Sequence, residues 1–149
     1  MTRIRVSADY DATPDAVWRV IEPIDDHVRW MADAETIRFL DEQTSGVGTR
    51  FECVTRIGPI RLVDAMEITE WAPGRAMGVR HQGVVGGEGR FTLEPLDGGR
   101  RTRFTWEETL RFPWWLGGPV GAAVAGPLVL RRIWAGNLRR LRPLVERAP

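Results

Sequence analysis

Ile4, Val6 and Ala8 alternate with Arg3, Arg5 and Ser7, a period of two that predicts a strand over Arg3 to Tyr10. Thr13-Pro14-Asp15 then supplies an N-cap, a proline for the first helical position and an acid for the first turn. Val17, Val20, Ile21 and Ile24 follow at helical spacing, and Pro23 ends or kinks that helix. A second short helix is expected around Asp26 to Met31, carrying Val28, Trp30 and Met31. From Glu35 to Phe112 the period is two almost throughout. Ile37 and Phe39 mark one strand, Arg50 to Arg56 the next, and Arg61 to Trp71 a longer one closed by Ala72-Pro73-Gly74. Ala76 to Gln82 runs into a loop at Gly83 to Gly87, and Gly89 to Glu94 ends at Asp97-Gly98-Gly99, a strong hairpin signal. Thr102 to Phe112 completes seven strands, and the short connections imply antiparallel neighbours.

No charged residue falls between Arg111 and Arg131, yet Pro113, Pro119 and Pro127 and four glycines interrupt that stretch and argue against a transmembrane helix. Phe112 to Gly118 reads as a loop, with a helix starting near Pro119 and a kink at Pro127. Leu130, Ile133, Trp134, Leu138, Leu141 and Val145 then form an apolar helical stripe, with Arg131, Arg132, Arg139, Arg140 and Arg142 clustered along the same segment.

Composition changes this picture only at a few points. At 149 residues the chain suits one domain, expected to span 1–149, whose folding buries roughly 70% of the unfolded surface. The N-terminus lacks the apolar core of a signal peptide and belongs to the fold. A single cysteine, Cys53, excludes an internal disulfide and a cysteine-rich zinc site and fits a cytoplasmic location. With 21 basic and 20 acidic residues the net charge is +1, so no electrostatic case exists for nucleic acid. No metal or cofactor is expected: His27 follows Asp25-Asp26, but the three side chains diverge on a helix. The segment Gly83 to Gly89 has no βαβ unit around it to make a dinucleotide site. Seven tryptophans are many for this length and suit the lining of a cavity as well as the filling of a core.

Strand, two short helices, six strands and a long C-terminal helix resembles the helix-grip fold of the START-like, or Bet v 1-like (SRPBCC), superfamily, in its polyketide cyclase/dehydrase-like branch. The residues that carry the resemblance are Ala12-Thr13-Pro14-Asp15-Ala16-Val17-Trp18 and Gly46-Val47-Gly48-Thr49-Arg50-Phe51. To these add Glu67-Ile68-Thr69-Glu70-Trp71-Ala72-Pro73-Gly74-Arg75, Leu93 to Arg100, and Thr105-Trp106-Glu107. The resemblance implies an α+β fold whose seven-stranded curved antiparallel sheet wraps the C-terminal helix, with a pocket for a hydrophobic small molecule between them. Independently, a sheet with an apolar inner face needs a cover, and only the last helix is long enough.

Chemistry in such a pocket shows as polar residues in the apolar register of a strand. Glu108 shares a face with Phe104, Trp106, Leu110 and Phe112; His81 shares one with Met77 and Val79; Asp64 shares one with Leu62, Met66 and Ile68. Cys53 and Thr55 follow Phe51 in the same way. Centring the hairpins on their glycines sets Phe91 opposite Trp106, Gly89 opposite Glu108, and His81 near Gly89. His81 and Glu108 then lie two strands and roughly 10 Å apart across a residue without a side chain, bridged by a water or a ligand oxygen. Each has a plainer reading beside this one. Glu108 could pair with Arg80 or Arg90 or sit at the rim, His81 could be a satisfied sheet histidine, Asp64 could face solvent, and Cys53 could be a small core residue.

The expected pocket lining is Phe39, Phe51, Met66, Val79, His81, Phe91, Trp106, Glu108 and Trp134, with Trp30 or Trp114 near the mouth. Three functions fit these residues. One is binding of a lipid, polyketide, isoprenoid or aromatic metabolite. Another is a cyclase, aromatase or dehydratase in which His81, Glu108 and Asp64 are the candidate acid and base groups. The last is a membrane-proximal lipid carrier or interaction module that inserts Phe112 to Leu116 beside Arg131 and Arg132.

Overall fold

In chain order the protein forms β1 (Thr2–Tyr10), α1 (Pro14–Ile21), a 3-10 helix (Ile24–Arg29), β2 (Ala34–Phe39) and β3 (Arg50–Ile57). There follow β4 (Ile60–Ala72), β5 (Ala76–Gln82), β6 (Gly86–Leu96), β7 (Arg101–Arg111) and α2 (Gly126–Glu146). These elements come from a computed structural model that describes residues 2–113 and 126–146. The seven strands make one curved antiparallel sheet in the order β1-β7-β6-β5-β4-β3-β2, the α+β helix-grip arrangement that the sequence implied.

Local chemistry sets the element ends. Thr13 caps α1 by accepting a hydrogen bond at Oγ1 from the Ala16 amide, 3.2 Å away, and Pro14 stands at the first helical position. Such a cap is worth about 1 kcal/mol. Between β6 and β7 the chain turns through Asp97, Gly98 and Gly99, all with positive φ. Glycine takes that conformation without the clash a Cβ brings.

Two boundaries differ from expectation. The second short helix is a 3-10 helix that ends at Arg29, leaving Trp30 and Met31 beyond it. The glycine-rich loop shrinks to residues 83–85, because Gly86 to Glu88 join β6. The helix start near Pro119 lies outside the described residues, and Pro127 is the second residue of the described α2.

α2 covers the inner face of the sheet with a stripe of buried residues, Leu130, Trp134, Leu138, Leu141 and Val145. Ile133 is only partly buried beside them. Two polar ties set the helix in place. The fully buried Tyr10 donates its hydroxyl to the Leu138 carbonyl at 2.7 Å. Asn137, equally buried, accepts from the Ala32 amide and donates to Asp33 Oδ1. Polar groups this deep persist only with partners, so both contacts fix where along its length α2 meets the sheet.

Candidate functional site

Between the inner face of the sheet and α2 lies a cavity of about 150 Å³. Its sheet wall is ordered in rows by the antiparallel register. Met77, Phe91 and Trp106 face one another across β5, β6 and β7; Val79, Gly89 and Glu108 form the next row; His81, Gly87 and Leu110 form the third. Successive rows are two residues, about 7 Å, apart.

The first row belongs to an aromatic cluster. Trp106 stacks on Trp134 of α2 with centroids 4.6 Å apart and planes 11° from parallel. Phe91 meets Trp106 edge-on at 5.4 Å, and Trp30 packs behind both. The His27 ring, brought in from the 3-10 helix, lies 5.2 Å from Trp30 and 5.9 Å from Phe91. Ring pairs of this kind add ~0.5–1.5 kcal/mol each beyond the area they bury.

The second and third rows carry the charge. His81 Nε2 donates to Glu108 Oε1 at 2.5 Å, with both side chains almost wholly buried. Gly89, between Val79 and Glu108, makes that contact possible: a Cβ there would overlap the Glu108 carboxylate. Asp64 lies beyond His81, also buried, and accepts from the Val84 amide at 2.8 Å. Gly83 has no Cβ to collide with that carboxylate, so the β5–β6 turn closes directly on Asp64.

Electrostatics at this end follow from burial and proximity. Burial alone would lower the His81 pKa, but the Glu108 and Asp64 carboxylates and the hydrogen bond to Glu108 outweigh it and hold the imidazole above its ordinary value. Burial raises Asp64, against the Val84 amide and the His81 charge. Burial also pushes the Cys53 thiol up to about 11, so it is an unreactive thiol in the wall. At the aromatic end burial drives His27 down to about 4, and it is neutral at physiological pH.

The structure brings most of the expected lining together. Phe51, Met66, Val79, Phe91, Trp106 and Trp134 line the cavity with His81 and Glu108, and Asp64 joins them. Four expectations are corrected. Trp30 is 1% exposed and lies in the core behind Phe91, because the 3-10 helix tucks inward before β2 and carries it away from any mouth. Phe39 sits half-buried opposite Phe51 on β2, the edge strand, and is not among the residues lining the cavity. His81 pairs with Gly87, and Val79 takes the place opposite Gly89, because the turn is two residues shorter than expected. The His81–Glu108 contact is therefore direct, with no bridging atom. Neither of the expected arginine partners holds Glu108, since Arg80 pairs with Glu67 and Arg90 with Glu70. Trp114 lies outside the described residues.

Sequence reasoning missed His27, Met31 and Asp33 in the wall. All three come from the segment between α1 and β2, where neither a helical nor a strand period marks an inward face. Among the described residues no group of His, Cys, Asp and Glu side chains is placed to hold a metal ion, and no helix is long and apolar enough to cross a membrane.

Comparison with known proteins agrees with this architecture. No curated protein matches the chain. Among solved structures, an aromatase/cyclase from Streptomyces sp. R1128, Zhui, superposes with a TM-score of 0.78 at 18% identity, covering 97% of this chain and 93% of that one. TTHA0849 from Thermus thermophilus gives 0.77 at 17% identity over 96% of each chain. The Aha1 dimer from Colwellia psychrerythraea gives 0.68 at 16% identity, covering 99% and 98%. At these identities the likeness is one of fold. The family model described as polyketide cyclase / dehydrase and lipid transport matches residues 1–146, and the chain belongs to that family, a branch of the START-like (SRPBCC) superfamily whose domains bind hydrophobic ligands.

Proposed function

We propose that the protein binds a small, uncharged hydrophobic molecule in the cavity between sheet and helix, and that the His81–Glu108 pair orients the ligand's polar end. The observation that carries this reading is the placement of one buried, hydrogen-bonded His–carboxylate pair in a wall made mostly of apolar side chains. Apolar side chains supply contact area and a few fixed polar groups supply orientation, the usual division of labour in small-molecule sites. Size favours a ligand, or a ligand segment, of about one ring, since an apolar cavity of about 150 Å³ accommodates benzene.

Charge favours a neutral ligand. Asp33, Asp64 and Glu108 bring carboxylates to the wall, and the guanidinium of Arg90, whose side chain also reaches the lining, is held by Glu70 in two hydrogen bonds of 2.7 and 3.0 Å. Among the described lining residues the other basic side chain at this end is His81, already committed to Glu108. A ligand carboxylate or phosphate would enter with no free counter-charge and lose its hydration.

Displacement of a fluorescent hydrophobic dye tests the reading. One saturable site per chain is expected, lost in Val79→Trp, with a neutral alkylbenzene competing at least about tenfold better than the matching benzoate. Dye binding that Val79→Trp leaves unchanged, or an absence of saturable binding, would overturn it.

A second reading, a cyclase, aromatase or dehydratase, is favoured by the same 2.5 Å contact, because an imidazole backed by a carboxylate can pass a proton to or from an enolising ligand. His81→Ala separates the two: it abolishes turnover of an offered polyketide in the enzyme and only weakens or redirects binding in the carrier.

A further inference from the structure

His27 is a buried titratable group of the cavity wall that takes no part in the His81–Glu108 pair. Its Nε2 lies 2.7 Å from the Ile21 carbonyl oxygen, which can only accept, so Nε2 carries the proton and Nδ1 keeps its lone pair. Nδ1 has no hydrogen-bond partner among the described residues. His27 lines the cavity, and with Nε2 held by the Ile21 carbonyl, Nδ1 is the ring nitrogen left for a ligand there.

Position adds chemistry to this. The imidazole is packed over Phe91, in the first row of the wall, whereas Glu108 and His81 stand in the second and third rows. The separation along the strands is therefore about 7 to 14 Å, enough to place one ring between two polar poles. Burial keeps His27 neutral, so at this end the wall presents an uncharged acceptor beside aromatic faces.

We propose that His27 Nδ1 is a second recognition point, accepting a hydrogen bond from the hydroxyl of an uncharged, ring-sized aromatic ligand, so that the cavity selects phenols over their ethers. This rests on the ligand-binding reading and adds the class of ligand. The hydroxyl donates its proton to Nδ1, no covalent bond changes, and the ring fills the space bordered by Phe91, Trp106 and Trp134.

The test titrates the full chain with 4-methylphenol and with 4-methylanisole, which keeps the ring and removes the donor, following the imidazole nitrogens by NMR. The His27 Nδ1 resonance is expected to move with the phenol and not with the ether, with the phenol bound about tenfold more tightly. In His27→Phe the two ligands should bind within about twofold of each other, the ether still entering the cavity. If that variant fails to fold, the nitrogen shifts of the native protein decide the question. An unmoved Nδ1 in a phenol-saturated protein, or a preference that survives in His27→Phe, would overturn the role of His27 and leave the cavity reading standing. Binding of neither compound would overturn both.

Discussion

The two ends of the cavity are built on opposite principles. At the aromatic end Trp30, Phe91, Phe104, Trp106 and Trp134 fill space, and His27, packed against Trp30 and Phe91, is forced neutral. At the other end glycines remove side chains, and the room released at Gly83 and Gly89 is taken by the carboxylates of Asp64 and Glu108 around His81. The first arrangement gains stability from buried area. The second forgoes packing for a fixed pattern of hydrogen bonds, and a buried ion pair is weak evidence for stability. In this account the aromatic end holds the sheet to α2, and the charged end is kept for recognition.

Removing the aromatic end should cost most. Trp106→Ala takes the ring from between Trp134 and Phe91 and is expected to destabilise by ~3–5 kcal/mol in chemical denaturation. A loss below ~1 kcal/mol would contradict the division between the ends.

Acid probes the same end through His27. Its folded pKa of about 4 lies below the ordinary 6.5, so the unfolded chain takes up this proton first as pH falls. The stability associated with neutral His27 is complete above pH 6.5 and is lost between 6.5 and about 4, by roughly 3 kcal/mol, with no further loss below. The stability–pH curve of His27→Phe should be flatter by that amount across the same window.

At the charged end Gly89→Ala is expected to cost ~1–3 kcal/mol, because the new methyl group must displace the Glu108 carboxylate. His81 should titrate nearer its ordinary value in that variant, measurable by NMR. Smallest of all, the double change His81→Phe with Glu108→Leu should leave stability unchanged within ~1 kcal/mol or raise it, since apolar residues often replace a buried ion pair without loss. The orientation that the charged end imposes on a ligand's polar group should be lost in the same protein, while the preference set by His27 remains. A large loss of stability would show that the pair supports the fold.

The pattern of strands was legible because it follows from a period of two, and the Gly89–Glu108 and Phe91–Trp106 pairings followed from centring one hairpin on Asp97 to Gly99. The neighbouring hairpin was harder. Asp64 captures the Val84 amide and shortens the turn, a long-range side-chain contact that local spacing does not announce, so the partner of His81 lies two positions from where counting placed it. A slip of two keeps the alternation, so His81 stayed on the inner face and the candidate pair survived. The stretch from Ile24 to Asp33 was illegible for a different reason. A 3-10 helix of six residues has too few turns to declare a face, so Trp30 is expected at the rim and His27 is weighed only as a metal ligand, not as part of the wall.

The central claim is that a hydrophobic molecule occupies the space between the two ends. Intermolecular nuclear Overhauser effects from bound 4-methylphenol to methyl-labelled protein test it most directly. The account predicts contacts to the methyl groups of Met66, Met77 and Val79, which line the cavity. Contacts confined to Leu128 and Val129 on the exposed side of α2, or none at saturating ligand, would contradict it.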